Sequence, residues 1–421
     1  MSTSRKLQVI IIGAGTGGLC LAQGLLAAGI DVRVFERDRT AIDRLQGYRL
    51  TISVTGNRAL QACLPKANFE RFVAASAKPN TAVSFLDHRL RRLLTVPIPP
   101  VDPAAPDAVR PVGRITLRQI LLDGLAGVVS FDRTFVSFAE APDGRITAHF
   151  ADGSQACGDV LIGADGAGSR VRGQLLPQAQ RIDTGIVALS GRFALDEAAR
   201  RETPDAVFRG PTLFMGPPGR FMFASAVEYP QEYSQRQTSP YDRDEYVMWG
   251  FSAKRSRLAL PGPIETLPGE TARRLVLEQM TSWHPSLRRL VERADTPSMN
   301  CFSVKSAQVV KPWATRTATL LGDSLHNMTP FRGMGANTAL RDAAVLCRAL
   351  VAVNRGEREL IPALAAYERD MIDYGFAGVR SSLENMRRLH AESVLSRFAT
   401  KTVFRAANVL PPLQRMFSSE R

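Results

Sequence analysis

Three short stretches of this chain carry residue types suited to a polar, anionic ligand. Gly13-Ala14-Gly15-Thr16-Gly17-Gly18 is dense in glycine, and Glu36 follows 23 residues after Gly13. Gly163-Ala164-Asp165-Gly166 runs on to Ser169, Val171 and Arg172. Gly322-Asp323 is followed by Pro330 and then by Gly333-Met334-Gly335-Ala336-Asn337, where a helical pattern begins. Glycines let backbone N–H groups approach a ligand closely, and a helix N-terminus favours negative charge. A carboxylate beside such a turn can bind hydroxyls. Two glycine turns more than 300 residues apart, each with an acid nearby, suit the two ends of one long dinucleotide.

The elements that must position these groups are legible around the first turn. Leu7 to Ile12 reads as a buried strand, Leu19 to Ala28 has helical spacing and stops at Gly29, and Val32 to Phe35 reads as a second strand. This strand–helix–strand start opens a doubly wound nucleotide-binding sheet. Gly13 allows the tight turn, Gly15 the approach of a pyrophosphate, and Gly18 the contact between helix and sheet. Glu36 ends the second strand, where a carboxylate accepts both hydroxyls of a ribose. Such a carboxylate repels a 2′-phosphate, so the site suits FAD or NAD rather than NADP. The chain has no second Gly-x-Gly-x-x-Gly, so any NAD(P)H has to visit transiently.

Further along, six prolines between Val96 and Pro111 mark an irregular connection, and Arg114 to Leu121 is spaced as a helix. Alternating stretches between Phe131 and Asp159, broken by Asp143-Gly144 and Asp152-Gly153, read as β-hairpins. Arg89-Leu90-Arg91-Arg92 reads as the solvated face of another hairpin. From residue 182 to about 310, short apolar runs separated by Pro/Gly loops and a polar stretch near 228–245 suggest an inserted antiparallel sheet. Thr271 to Ala294 reads as one helix, and Thr319 to Leu321 as a strand. The helix after Asn337 puts Leu340, Ala344, Cys347 and Val351 on one side and stops at Gly356; the tail from 357 is helical and basic.

Composition narrows the function classes. Hydrophobic content of 45% and charged content of 22% are ordinary for a soluble globular protein. No stretch approaches the roughly 18–20 unbroken apolar residues that span a membrane. Arg5 and Lys6 before an apolar run resemble a signal peptide, but the glycine turn that follows favours a strand, so no targeting segment is read. The five cysteines are scattered, with no C-x-x-C pair, which argues against a disulfide framework and for a reducing cytoplasm. No metal site is expected. The net charge of +14 is carried by 47 Arg against 7 Lys, dispersed rather than striped, which argues against nucleic acid as a partner.

Together the three motifs, in this order, resemble the single-component FAD-dependent monooxygenases of the para-hydroxybenzoate hydroxylase type, and the likeness extends over nearly the whole chain. The resemblance implies an α/β fold with a Rossmann-like, glutathione-reductase-like FAD-binding domain at 1–181 and 301–356. It also implies an antiparallel-sheet substrate domain at 182–300 and C-terminal helices at 357–421. It implies non-covalent FAD, NAD(P)H as a transient co-substrate, and O₂. The expected reaction puts one oxygen atom on an aromatic or polycyclic small molecule through a flavin C4a-hydroperoxide, in secondary metabolism or aromatic degradation. Hydroxylation, epoxidation and Baeyer–Villiger insertion all stay open. So does a flavoprotein that binds its ligand without turnover, as a chaperone or sequestering protein.

The resemblance also assigns cofactor contacts. They are Gly13, Ala14, Gly15, Thr16, Gly17, Gly18, Glu36 and Arg37 at the adenosine end, with Arg49 and, more weakly, Arg44 in the stretch that follows. Arg114, in an Arg-x-x-Leu pattern, is a further FAD contact. Asp165 and its neighbours serve FAD and NAD(P)H. Asp323 binds the ribityl chain, and Pro330, Gly333, Gly335, Ala336 and Asn337 form the turn at the flavin pyrimidine edge. Arg192, on the first strand of the inserted sheet, is the candidate catalytic residue in the pocket. Phe214, Phe221, Phe223, Trp249 and Phe251 are candidate pocket walls or ordinary sheet core. His326 is expected to be structural. Relatives of this type carry Ala-Ala where this chain has Ser324-Leu325, and Gly or Gln in place of Arg332 and Met334. The stretch from His390 to Phe417 suggests docking across the two domains in preference to a membrane surface. Either a monomer or a homodimer is compatible with the sequence.

Overall fold

The computed structural model describes residues 6–41, 48–102, 105, 108–230 and 245–410. Its first layer grows from the strand–turn–helix unit at the start. β1 (Gln8–Ile12) and β2 (Asp31–Phe35) pair in parallel, with Ile12 opposite Phe35, and the helix Thr16–Ala27 connects them. Ile10, Ile11 and Val34 are completely buried, which is why these strands are apolar runs rather than alternating ones. β11 (Val160–Gly163) joins the free side of β1, and β17 (Ala318–Leu320) joins β11. β7 (Val129–Ser130) closes the other edge.

All five strands run the same way, in the order β17-β11-β1-β2-β7. Their carboxyl ends therefore open along one edge. The chain leaves β1 into Gly13, β2 into Glu36, β11 into Ala164-Asp165 and β17 into Leu321-Gly322-Asp323. Open α/β sheets bind ligands along this kind of edge.

Two small antiparallel units sit beside this layer. β3 (Arg49–Ile52) pairs with β6 (Arg110–Gly113), and β8 (Phe135–Glu140), β9 (Ile146–Phe150) and β10 (Gln155–Gly158) form the meander expected from the two Asp-Gly turns.

The second large sheet has seven strands. Its order is β16 (Asn300–Ala307), β12 (Arg181–Ala194), β15 (Tyr246–Lys254), β14 (Arg220–Val227), β13 (Thr212–Met215), β4 (Ala82–Asp87) and β5 (Arg92–Pro97). It recruits β4 and β5 from well before residue 182 and most of β16 from beyond residue 300, so it is wider than the inserted segment alone. The stretch expected as one helix over Thr271–Ala294 is two, Gly269–Gln279 and Pro285–Glu292. Pro285 has no N–H to continue a helix, and His284 caps the second one by accepting from Ser286 N at 3.2 Å.

Strand pleating gives this sheet two different faces. One carries Val187, Leu189, Phe214, Trp249 and Phe251 into a core with Leu275, Val276, Leu287 and Leu290 of the paired helices. Phe214, Trp249 and Phe251 are therefore sheet core and not pocket walls. The other face carries Ser190, Arg192, Met248, Gly250, Phe221 and Phe223, because the register sets Arg192 opposite Met248, Ser190 opposite Gly250 and Phe223 opposite Gly250. This face meets the first domain: Met248 and Tyr246 pack into that domain's core cluster.

C-terminal helices bind the layers together. Gly335–Asn354 lies along Thr16–Ala27, where a Cβ on Gly17 would fall 2.6 Å from Leu321 Cδ1 and 3.2 Å from Ala339 Cβ. Leu360–Leu389 packs behind the turn at Pro330–Gly333, with Thr329 Oγ1 donating to Ser382 O at 3.0 Å. Val394–Val409 docks on the outer edge of the second sheet, where Phe404 and Phe85 stack 4.8 Å apart. Among the described residues no helix is long and apolar enough to cross a membrane. Arg44, Arg415 and Phe417 lie outside the described residues.

Candidate active site

At the first turn each glycine has a separate geometric reason. Gly13 sits at φ +108°, and a Cβ there would fall 2.4 Å from Ala164 O, so glycine is required twice over. A Cβ on Gly18 would fall 2.2 Å from Gly13 O, where helix and turn are in contact. Gly15 has nothing within 4 Å of its Cβ position. Gly15 is also the N-cap of Thr16–Ala27, a helix with no side-chain cap and no acid in its first turn. Its first N–H groups therefore have no side-chain acceptor, an arrangement suited to a phosphate. Beside it, Glu36 is buried at 8% exposure and accepts from Ala14 N at 2.6 Å and Asp38 N at 3.0 Å. Arg37 and Arg114 both lie at the surface, and the neighbouring pair Arg118–Asp38 spans 3.5 Å.

The middle motif holds an unfilled acceptor. Asp165 Oδ2 accepts from Arg170 N at 2.7 Å and Val171 N at 3.3 Å, while Oδ1 is buried without a hydrogen-bond partner. A buried carboxylate oxygen left in this state is costly, and a hydroxyl or N–H of a bound group relieves it. Arg172 ties this turn to the third motif by donating to Ala167 O at 3.1 Å and to Ser324 O at 2.7 Å. Burial pushes its pKa down. This bridging role was not legible in the sequence, although Arg172 belongs to the motif.

In the third motif Gly322 takes φ +64° and Gly333 takes φ +62°, so the chain turns sharply on both sides of Pro330. The helix Gly335–Asn354 again starts with no side-chain cap and no acid in its first turn. Asp323 is exposed, and its Oδ1 lies 3.8 Å from the Cβ position of Gly335. Asn337 differs from expectation in one respect. Its side chain is turned into the protein, accepting from Ser53 N at 2.8 Å and donating to Thr51 O at 2.9 Å. The side-chain amide of Asn337 is therefore engaged within the protein, and the turn offers its backbone N–H groups. Ser324, where relatives of this type carry alanine, is fully buried and donates to Gly163 O at 2.7 Å. Arg332 is half-buried and donates to Ser381 Oγ.

Behind the turn lies a buried polar knot. Asp342 is completely buried and receives Gly322 N at 2.6 Å, Tyr374 OH at 2.5 Å and His326 Nε2 at 2.7 Å. Burial disfavours a charged His326, but Asp342 more than offsets this and the imidazole pKa is raised. A Cβ on Gly375 would fall 2.7 Å from His326 Cδ2, so the ring is clamped between elements and does not reach the ligand edge. His326 is structural. Sequence reading passed over Asp342; a carboxylate on the apolar stripe of its helix, one turn after Thr338 and one before Leu346, was the available signal.

The far wall of the site is apolar. Phe221 stands 6.0 Å from Phe331 of the flavin-end turn and 6.1 Å from His390. His390 Nδ1 donates to Met386 O at 2.8 Å, which fixes Nε2 as acceptor for Ser252 Oγ at 2.8 Å. Burial pushes its pKa down to about 4 from the ordinary 6.5. The folded protein therefore keeps His390 neutral while the unfolded chain protonates, so stability held above pH 6.5 is lost as the pH falls towards 4. The full window amounts to roughly 3 kcal/mol. Thermal unfolding of His390→Gln across this range is expected to show a flatter pH dependence than the wild type, and parallel curves would refute the assignment.

Arg192 and Arg49 occupy the opposite end of the same face. The Arg192 guanidinium carbon lies 5.3 Å from the Tyr246 ring centroid. Arg49, expected among the cofactor contacts, turns towards the second sheet, with Nη1 3.5 Å from Ala226 O. Burial lowers its pKa and the nearby Tyr246 and Tyr229 oppose that. Tyr48 donates to Ser298 O at 2.6 Å, and burial raises its pKa.

Known proteins match this arrangement. A family model described as an FAD binding domain covers residues 6–193 and 284–375, about two thirds of the chain. The chain is 31% identical over 400 residues to the dual O-methyltransferase/FAD-dependent monooxygenase CTB3 of Cercospora beticola, covering 86% of this chain and 44% of that protein. It thus spans less than half the length of that relative. It is 30% identical over 377 residues to the FAD-dependent monooxygenase dbaB of Emericella nidulans, covering 83% of this chain and 88% of that one. A crystal structure of a Photorhabdus luminescens subsp. laumondii TTO1 protein, provisionally assigned as an FAD-containing monooxygenase, superposes with a TM-score of 0.81 at 36% identity. It covers 91% of this chain and 98% of its own.

Proposed function

The chain belongs to the FAD-binding-domain family of the FAD-dependent monooxygenases, and from that premise we propose that it uses NAD(P)H and O₂ to place one oxygen atom on an aromatic or polycyclic small molecule. The observation that carries the reading is the single open edge of the parallel sheet. There two uncapped helix starts, Glu36, Asp323 and the unfilled Asp165 Oδ1 gather at the carboxyl ends of the parallel strands. These groups fit FAD: N–H donors for its phosphates, carboxylates for its hydroxyls, and a backbone turn for its ring. When bound, FAD would supply the redox chemistry, namely reduction by NAD(P)H and delivery of one atom of O₂ to the substrate with the other released as water.

The chain's own residues supply position and dryness. The helix start at Gly335 offers unblocked N–H groups to negative charge, with no side chain competing for them. Asn337 fixes β3 against that helix start, so the ring seat and the substrate face keep one relative position. Phe221 and Phe331 exclude water from one wall, and His390, with both nitrogens engaged, brings no acidic proton there. Arg192 on the sheet face serves to position substrate.

The test is anaerobic mixing of the FAD-loaded protein with NADH and with NADPH, in the presence of a panel of hydroxylated aromatics. Bleaching of the oxidised flavin band by one nucleotide is expected, followed on aeration by a product carrying label from ¹⁸O₂. If neither nucleotide bleaches the flavin with any ligand, the protein is not such an enzyme.

A further inference from the structure

Docking on the second sheet uses only one face of the helix Val394–Val409. Phe404 and Ala407 pack there with Phe85, Leu94 and Val96, and Thr95 N donates to Asn408 Oδ1 at 3.0 Å. Arg397 is buried on the same side, donating to Ala391 O at 3.2 Å and to Gly216 O. Leu395, Phe398, Thr402 and Val409 follow one another at steps of three, four and seven residues, which puts them on the opposite face. Leu395 is 82% exposed, Phe398 68% and Val409 76%. Among the described residues six large apolar side chains are at least half exposed. Five are Leu395, Phe398, Val403, Val409 and Leu410, and the sixth is Val309. Single exposed apolar residues are ordinary, but a row of them along one helix marks an interaction surface.

The charge around this row narrows what can cover it. The helix has no Asp or Glu, and Arg397, Lys401 and Arg405 run four residues apart along one flank of the row. The turn between β4 and β5 adds Arg89, Arg91 and Arg92, all exposed. Lys401 lies within electrostatic reach of Arg91, Arg397 and Arg405, so helix and turn form one basic patch. The nearby acids are engaged elsewhere. Asp87, within reach of Lys401, is buried and accepts from Arg89 N at 2.9 Å and Arg91 N at 3.0 Å. Glu392, just before the helix, pairs with Lys254 and Arg257. A second copy of this face would set like charge against like charge. An apolar row with a basic, acid-free flank matches instead the boundary between acyl chains and anionic headgroups. No helix among the described residues is long and apolar enough to cross a membrane, so this one would lie along the surface.

We propose that the outward face of Val394–Val409, together with the turn at Arg89–Arg92, is a docking surface for an anionic lipid bilayer. Leu395, Phe398 and Val409 enter the acyl boundary, while Lys401, Arg405 and the arginines of the turn meet the lipid phosphates. None of these residues belongs to the nucleotide seat or to the Phe221–Phe331 wall.

Co-sedimentation of the full-length protein with vesicles, in the presence of excess FAD, tests the surface. Vesicles of phosphatidylcholine and phosphatidylglycerol in equal parts are expected to carry the protein down, and vesicles of phosphatidylcholine alone are not. Leu395→Ser/Phe398→Ser should weaken binding at least about tenfold. Both side chains are exposed, so that variant should melt with the wild type. Arg91→Gln/Arg405→Gln should weaken binding roughly tenfold and flatten its salt dependence. In Phe398→Trp the indole emission should shift to the blue when mixed vesicles are added, a readout that stands even where the serine variant melts early. No binding to the mixed vesicles, equal binding to both kinds, or either double variant binding like the wild type overturns the proposal. So does an unshifted indole in protein that sediments with the vesicles. A wild-type dimer in lipid-free sedimentation velocity that Phe398→Ser converts to monomer assigns the face to a second copy, and also overturns it.

Discussion

Gly15→Val is expected to give a folded, colourless protein. Gly15 has φ −80° and ψ 179°, a conformation valine adopts readily, and nothing lies within 4 Å of its Cβ position. The fold therefore has no objection to the side chain, and the stability of the flavin-free protein should move by no more than about 0.5 kcal/mol. The isopropyl group nevertheless fills the space that the first N–H groups of the helix face. FAD affinity should fall by at least about a hundredfold, equivalent to roughly 2.8 kcal/mol. Gly18→Val is the contrasting case. Its Cβ would fall 2.2 Å from Gly13 O, so it should lose both flavin and fold. Flavin-to-protein ratios after FAD loading, read beside thermal melts of the stripped proteins, check both. Stoichiometric flavin in Gly15→Val would falsify the phosphate seat.

The second large effect is placed on Asp342. Its two oxygens hold Gly322 N, His326 Nε2 and Tyr374 OH, all of them away from solvent. Asp342→Ala strands those three donors together and should cost about 3–5 kcal/mol in denaturant unfolding. Tyr374→Phe removes one partner and leaves the other two, so about 1 kcal/mol is expected. Flavin retention should fall in step for Asp342→Ala, because the Gly322 turn at φ +64° presents Asp323 to the ligand edge. A stability for Asp342→Ala within about 1 kcal/mol of the wild type would show the knot to be dispensable.

The parts of the site readable from sequence are those whose geometry is set by neighbours in the chain. Gly13, Gly15, Gly18 and Glu36 lie within one strand–helix–strand unit, so their spacing alone brings them together. Asp323 and Gly335 are similarly close along the chain. Arg49 was harder. Its direction depends on β3 pairing with β6 and lying against a sheet formed by residues far away. The aromatics stayed open between pocket wall and core for a related reason. Phe214 and Phe221 are near in sequence, but only the β13–β14 register puts one into the helix-covered core and the other against the flavin turn. Nothing local indicates that Thr51 and Ser53 engage the side-chain amide of Asn337. Pro285 was a readable signal whose weight in breaking the helix was underestimated.

One consequence follows from where β17 sits. It forms the edge of the parallel sheet next to β11, and the Gly335 helix beyond it covers the Gly17 side of the first helix. A ribosome adding roughly 5–20 residues per second needs about 15–60 s after Gly18 to deliver these pieces. The first helix has an uncovered side throughout that interval, and β11 has an open edge from its own completion at Gly163 until β17 emerges, both prone to mispairing. The nucleotide seat closes only when the chain's last third arrives. In a culture supplied with excess FAD, chains that fail this late docking step are therefore expected among the colourless protein.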